Sequence, residues 1–84
     1  MMLEVRTAKY ISDYKIYVRF NNDTEMVLNL EPHLDGEIYE PLKDKQYFKN
    51  FRVELNTISW ENGADFAPEF LIKIGEHLGS VVAV

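Results

Sequence analysis

Residues 14–30, Tyr14-Lys15-Ile16-Tyr17-Val18-Arg19-Phe20-Asn21-Asn22-Asp23-Thr24-Glu25-Met26-Val27-Leu28-Asn29-Leu30, decide the fold. Large side chains recur at every second position, first Tyr14, Ile16, Val18 and Phe20, then Met26, Leu28 and Leu30. This is the period of a strand with one buried face. Asn21-Asn22-Asp23 between the two runs is a turn cluster. The pattern also sets the register, because a one-residue slip moves every side chain to the other face. A two-residue loop at Asn22-Asp23 opposes Phe20 to Glu25 and Ile16 to Asn29, mixing apolar with polar. A three-residue loop pairs Phe20 with Thr24, Val18 with Met26, Ile16 with Leu28 and Tyr14 with Leu30, and sets Arg19 against Glu25 on the solvent side. That loop needs a left-handed conformation at Asp23, where glycine is cheapest and Asp is tolerated.

Working outward, Leu3 and Val5, then Ala8 and Tyr10 after a phase slip, suggest an N-terminal strand. Glu31 to Glu40 reads as a loop with one helical turn after Pro32 and a tight turn at Asp35-Gly36. Asp44 is an N-cap for a short helix through Asn50 that buries Phe48 and part of Tyr47. A two-residue turn at Asn56-Thr57 pairs Leu55 with Ile58 and Val53 with Trp60, a second hairpin. Asp65 as a cap and Pro68 in a first turn announce a C-terminal helix. Its inner face is Phe66, Phe70, Leu71, Ile74 and Leu78, and Glu69, Lys73 and Glu76 face water. Gly75 weakens the last turn by up to ~1 kcal/mol relative to alanine. Ser80 to Val84 is either a loose tail or an added edge strand, and His77 falls in the last helical turn. The expectation is one α+β domain over residues 1–84: a small antiparallel β-sheet of two hairpins plus an N-terminal strand, one short central helix and a C-terminal helix.

Composition bounds the function. A chain of 84 residues buries roughly 60–65% of its unfolded surface, so few large side chains can be spared for chemistry. Nine Lys and Arg against 14 Asp and Glu, a net charge of −5, argue against a nucleic-acid binder. The absence of cysteine removes disulfides, thiolate zinc sites and cysteine nucleophiles together. No leader pattern and no apolar run near the ~20 residues of a membrane span is present, so a cytoplasmic protein is expected. Charge alternates along the chain, and residues 21–40 hold six acids and no Lys or Arg. Such blocks usually complement neighbouring elements, but Glu31, Asp35, Glu37 and Glu40 also make an acidic face for a basic partner.

No nucleophile, base or metal constellation rises above background, and no catalytic residue, metal or cofactor is expected. His33 reads as a solvated loop histidine, and His77 suits a helix C-terminus. Trp60-Glu61-Asn62-Gly63-Ala64-Asp65 is the densest group of special residues. Functionally it makes a wall from Trp60 with a polar rim of Asn62, Asp65 and Glu69. Structurally it is a core anchor, a turn needing positive φ, and a cap. Tyr10, Tyr14, Tyr17, Tyr39 and Tyr47 are either a recognition surface or half-buried sheet packing.

The string Trp60-Glu61-Asn62-Gly63-Ala64-Asp65-Phe66-Ala67-Pro68-Glu69-Phe70-Leu71 resembles the W-x-N-G-A-D-x-x-P-E-x-L ending of the domain-of-unknown-function 2442 family. The resemblance extends through Pro41-Leu42-Lys43-Asp44 with Phe48, Leu28-Asn29-Leu30, and Phe20 with its turn, over about residues 5–72. Asp23 stands where the family often has glycine, and Glu61 where it often has proline. The resemblance implies a small prokaryotic α+β domain with no assigned reaction. Some relatives look fused to a C-terminal helix-turn-helix, and others are encoded beside another small protein, as in toxin–antitoxin pairs. This chain stops at Val84, so no appended DNA-binding helices are expected.

The leading expectation is therefore a non-catalytic interaction or regulatory module of a small bacterial two-gene system, binding another small protein through the acidic segment. Glu31, Asp35 and Glu37 carry that contact. The alternative is a small-ligand binder or weak hydrolase using Asp65 and Glu69 beside Trp60. Nucleic acid and membrane are not expected as partners, and exposed sheet edges admit a homodimer.

Overall fold

In a computed structural model, which describes residues 2–77, the two alternating runs form the expected hairpin. Strand β1 spans Val5–Ser12, β2 Lys15–Phe20 and β3 Glu25–Asn29. Ile16 stands opposite Leu28, Val18 opposite Met26 and Arg19 opposite Glu25. The loop has three residues, closed by the Phe20 amide on the Thr24 carbonyl at 2.9 Å, and Asp23 takes a φ of 69°. Arg19 bonds that same Asp23 at 2.7 Å. Ile16, Val18, Phe20, Met26, Leu28 and Leu30 are all buried.

The phase slip in the first strand has a physical cause. Val5 pairs with Phe20 and Thr7 with Arg19, so Arg6 is the extra residue of a β-bulge. The bulge restores Ala8 opposite Val18 and Tyr10 opposite Ile16, on the same face as Val5.

The second hairpin forms, but in a different register. Strands β4 (Arg52–Glu54) and β5 (Thr57–Ser59) pair Val53 with Ile58 and Glu54 with Thr57, not Val53 with Trp60 and Leu55 with Ile58. The turn is Leu55-Asn56, with φ of 52° and 72°, the left-handed pair that a two-residue hairpin turn favours. Two bonds outside the hairpin hold it there. The Val5 amide donates to the Asn56 carbonyl at 2.8 Å, and the buried Thr57 hydroxyl donates to the Phe66 carbonyl. The consequence is that Leu55 is 88% exposed. Apolar alternation in a three-residue strand is a weaker constraint than a buried hydroxyl needing an acceptor.

Residues 31–43 are more ordered than a loop. A 3₁₀ turn at Glu31–His33 and a second 3₁₀ segment at Glu37–Lys43 flank Gly36, whose φ is 105°. Leu34 and Leu42 pin this segment to the core. Helix α1 (Lys45–Phe48) begins at Asp44, whose carboxylate accepts the Gln46 amide at 3.0 Å, and it ends two residues before the expected Asn50. It buries Phe48 and half-buries Tyr47, as its spacing predicts.

Helix α2 runs only over Pro68–Ile74. Ala67 is its N-cap and makes no side-chain bond, so Asp65 is not the cap; Asp65 instead bridges Ser59. After Gly75 the chain turns into β6 (Glu76–His77), antiparallel to β3, so His77 lies in a strand and not in a helical turn. The sheet order is β1-β2-β3-β6, with β4 and β5 forming a separate two-stranded sheet. Gly75 ends the helix because the chain passes tightly over β3: a Cβ there would strike Met26 Sδ and stand 2.8 Å from Leu28 Cδ2. Leu78 and the segment Ser80–Val84 lie outside the described residues.

Two substitutions test this account. Gly75→Ala should destabilise the fold by about 1–3 kcal/mol through overpacking against Met26 and Leu28, read as a lower urea midpoint with unchanged slope. Leu55→Gly removes a strained bulky residue that buries almost nothing, and should stabilise by about 0.5 kcal/mol after the added freedom of the unfolded chain is counted. A lower midpoint for Leu55→Gly would contradict the turn geometry.

Candidate functional site

The motif at residues 60–71 builds one wall of a groove. Trp60 is 3% exposed; its indole N–H donates to the Phe48 carbonyl at 2.9 Å and its amide donates to Ala64 O at 2.9 Å. Gly63, at φ 93°, turns the chain between them. Asn62 fastens that turn from three directions. Its Oδ1 accepts the Ala64 amide at 3.1 Å, its Nδ2 donates to Ile38 O at 2.9 Å, and its backbone N–H donates to the Tyr47 hydroxyl at 3.0 Å. Trp60 and Asn62, two residues with candidate ligand roles, therefore have structural partners for every one of these groups. Their work is to present Asp65, Phe66 and Phe70 to the segment Pro32–Tyr39.

Between those two segments lies an open groove of about 530 Å³. Tyr39 stacks on Phe66 with centroids 4.9 Å apart and planes 13° from parallel, and Phe66 stacks on Phe70 at 5.8 Å. His33 meets Phe70 edge-on at 5.2 Å. The Tyr39 hydroxyl donates to the Asp65 carbonyl at 2.9 Å and ties the walls together. Burial, with a smaller contribution from the Asp65 charge, raises the Tyr39 phenol above its ordinary value of 10.0. Asp35 and Asp65 are exposed and complete the lining together with Pro32 and Ala67.

The acidic segment is presented on an anchored backbone. Glu31, Asp35 and Glu37 are exposed and have no ion-pair partner among the described residues, whereas Glu40 pairs with Lys43 at 3.0 Å. Glu31 shares a neighbouring depression with Asp35, Tyr14 and Lys43. Glu37 stands in the first turn of the second 3₁₀ segment, between Gly36 and Tyr39.

The structure thus places Asp35 and Asp65 on one groove, and leaves Glu69 outside its lining. Glu69 is exposed in the first turn of α2 and lines neither the groove nor the smaller depression bordered by Trp60, Asp65, Arg52 and Glu61. Of the other lining residues, Tyr39 is one of the tyrosines that the sequence offers for recognition, whereas His33 reads there as a solvated loop histidine and Phe70 as part of the core face of the helix. Among the described residues no group of three or more His, Cys, Asp or Glu side chains is placed to hold a metal ion, and no helix is long and apolar enough to cross a membrane.

In comparisons with known proteins, the model of a family described as "Protein of unknown function (DUF2442)" matches residues 5–77. The comparison with curated proteins gave no match, and that with solved structures gave none either.

The raised Tyr39 pKa has a sign that can be tested. The folded state holds this proton more tightly than the unfolded chain, so the associated stability is present below the ordinary value of 10.0 and is lost as pH rises through the folded pKa. Tyr39→Phe cannot titrate there. Its stability should fall less steeply than wild type above pH 10, as measured by urea unfolding at a series of alkaline pH values. An unchanged slope would mean that Tyr39 is not held in the groove wall.

Proposed function

The chain belongs to this DUF2442 family, and we propose that it is a cytoplasmic, non-catalytic protein-interaction module, the regulatory member of a small bacterial two-gene system of the toxin–antitoxin kind. The observation that carries this reading is the row Glu31, Asp35 and Glu37, exposed and without ion pairs among the described residues, on a backbone pinned by Leu34 and Leu42. Anchoring matters because acids on a floppy loop would lose conformational entropy on binding, which an ordered 3₁₀ scaffold has already lost. The partner is another small protein, the product of the adjacent gene, with a basic contact face. Electrostatic complementarity of this kind steers encounter and selects the partner more than it adds raw affinity. A homodimer through β1, an edge strand of the main sheet, belongs to the same proposal.

A second reading, small-ligand binding, draws on the groove volume of about 530 Å³, within the range of ordinary ligand sites. Its hydrolase form, with Asp65 and Glu69 acting together beside Trp60, draws no support from the position of Glu69.

Co-expression with the neighbouring gene product should yield a complex at micromolar protein. Neutralising the row in E31Q/D35N/E37Q should weaken that complex about tenfold at low salt and flatten its salt dependence. Absence of any complex with a neighbour, with sedimentation showing the chain alone, would overturn the reading.

A further inference from the structure

Resting on that interaction reading, we propose that the groove between Pro32–Tyr39 and Asp65–Phe70 receives an arginine side chain from a segment of the partner protein. The groove has an aromatic floor and an acidic rim, and the combination selects the occupant. Among the described residues Asp35 and Asp65 line it and no Lys or Arg does. An anionic occupant would face two carboxylates, and a purely apolar one would strip water from them with nothing in return. A cation satisfies both.

Lys43 and Lys45, the bases that follow the Pro32–Tyr39 wall in sequence, are engaged with Glu40 and Asp13, each at 3.0 Å, and Lys73, which follows the other wall on α2, does not line the groove. The positive charge therefore comes from outside. Tyr39 and Phe70 are half-buried rings, so part of each remains open to a ligand. A guanidinium is planar, stacks on such rings and donates in its own plane to carboxylates, whereas an ammonium is a compact and strongly hydrated charge. The groove is open and not an enclosed cavity. That shape suits a side chain carried on a chain segment better than a small molecule that must be sequestered.

The test is an NMR titration of the ¹⁵N-labelled protein with acetyl-Gly-Arg-Gly-amide, with the lysine and citrulline versions of the same tripeptide, and with free arginine. The arginine peptide should shift the amides of His33, Asp35, Tyr39, Asp65, Phe66 and Phe70, saturate in the millimolar range, and outrank lysine, with citrulline, its neutral isostere, weakest. D35N/D65N changes two exposed carboxylates, should keep a dispersed native spectrum, and should bind the arginine peptide about fivefold more weakly. Equal binding of the citrulline peptide, shifts mapping elsewhere, or tighter binding of free arginine than of the peptide would each overturn the proposal. These peptide arms need no partner, so they judge the groove apart from the interaction reading. A complex with the neighbouring gene product that D35N/D65N leaves undiminished would overturn the groove as the docking point and leave the interaction reading standing.

Discussion

Trp60 sits where α1, the second hairpin and the approach to α2 meet. Its indole N–H reaches the Phe48 carbonyl at 2.9 Å, at the end of α1, and its ring packs against Phe48, Phe51 and Phe66 with centroids 5.7, 6.3 and 6.0 Å away. A buried indole donor without an acceptor would cost about 1–3 kcal/mol, so the position of α1 is tied to that of β5. The backbone of Trp60 in turn closes the Gly63 turn, and that turn sends Asp65 and Phe66 toward Tyr39. The groove is thus a consequence of how the aromatic core is locked, two links removed from the indole bond.

How much of this could be read from residues alone depends on the range of the interaction involved. The first hairpin was legible down to its three-residue loop, because six buried side chains on one face leave a single register that does not bury Glu25 or Asn29. The Asp44 cap was legible for the same reason: it is settled within two residues. The second hairpin departs from its apolar alternation because its register answers to Val5 and Phe66, both outside the hairpin, and not to Val53 and Leu55. Gly75 shows the same limit. A glycine after a helical pattern suggests a weak last turn, whereas its role is to let the backbone approach Met26 and Leu28. The site follows suit: Asp35 and Asp65 can be named as candidates, but that they line one groove follows from long-range contacts such as the Tyr39–Asp65 bond across 26 residues.

The acidic segment also takes on a different character once folded. In the sequence it is a run of charge with two prolines' worth of punctuation nearby, easily taken for a solvated loop. In the structure its carboxylates alternate with Leu34, Tyr39 and Leu42, which face inward, so one stretch supplies core anchors and surface charge together. Among the described residues three of its acids find no internal cation, while Arg19, Lys43, Lys45 and Arg52 are each held by a carboxylate. The local field around the groove is therefore more negative than the net charge of −5 spread over the whole surface would make it.

The strand β6 is only two residues long, and its pairing of Glu76 with Val27 and His77 with Met26 joins parts of the chain about fifty residues apart. On a ribosome, the β1–β2–β3 meander can close as soon as Asn29 has emerged, because each of its turns is local. Its outer edge then waits, unpaired, until Glu76 and His77 have followed. During that interval the nascent protein exposes the open hydrogen-bonding groups of β3, guarded chiefly by Glu25 and the polar Asn29 at its two ends. Translation order thus gives this small sheet a period of vulnerability to strand pairing with neighbouring chains, which the last residues of the described fold bring to an end.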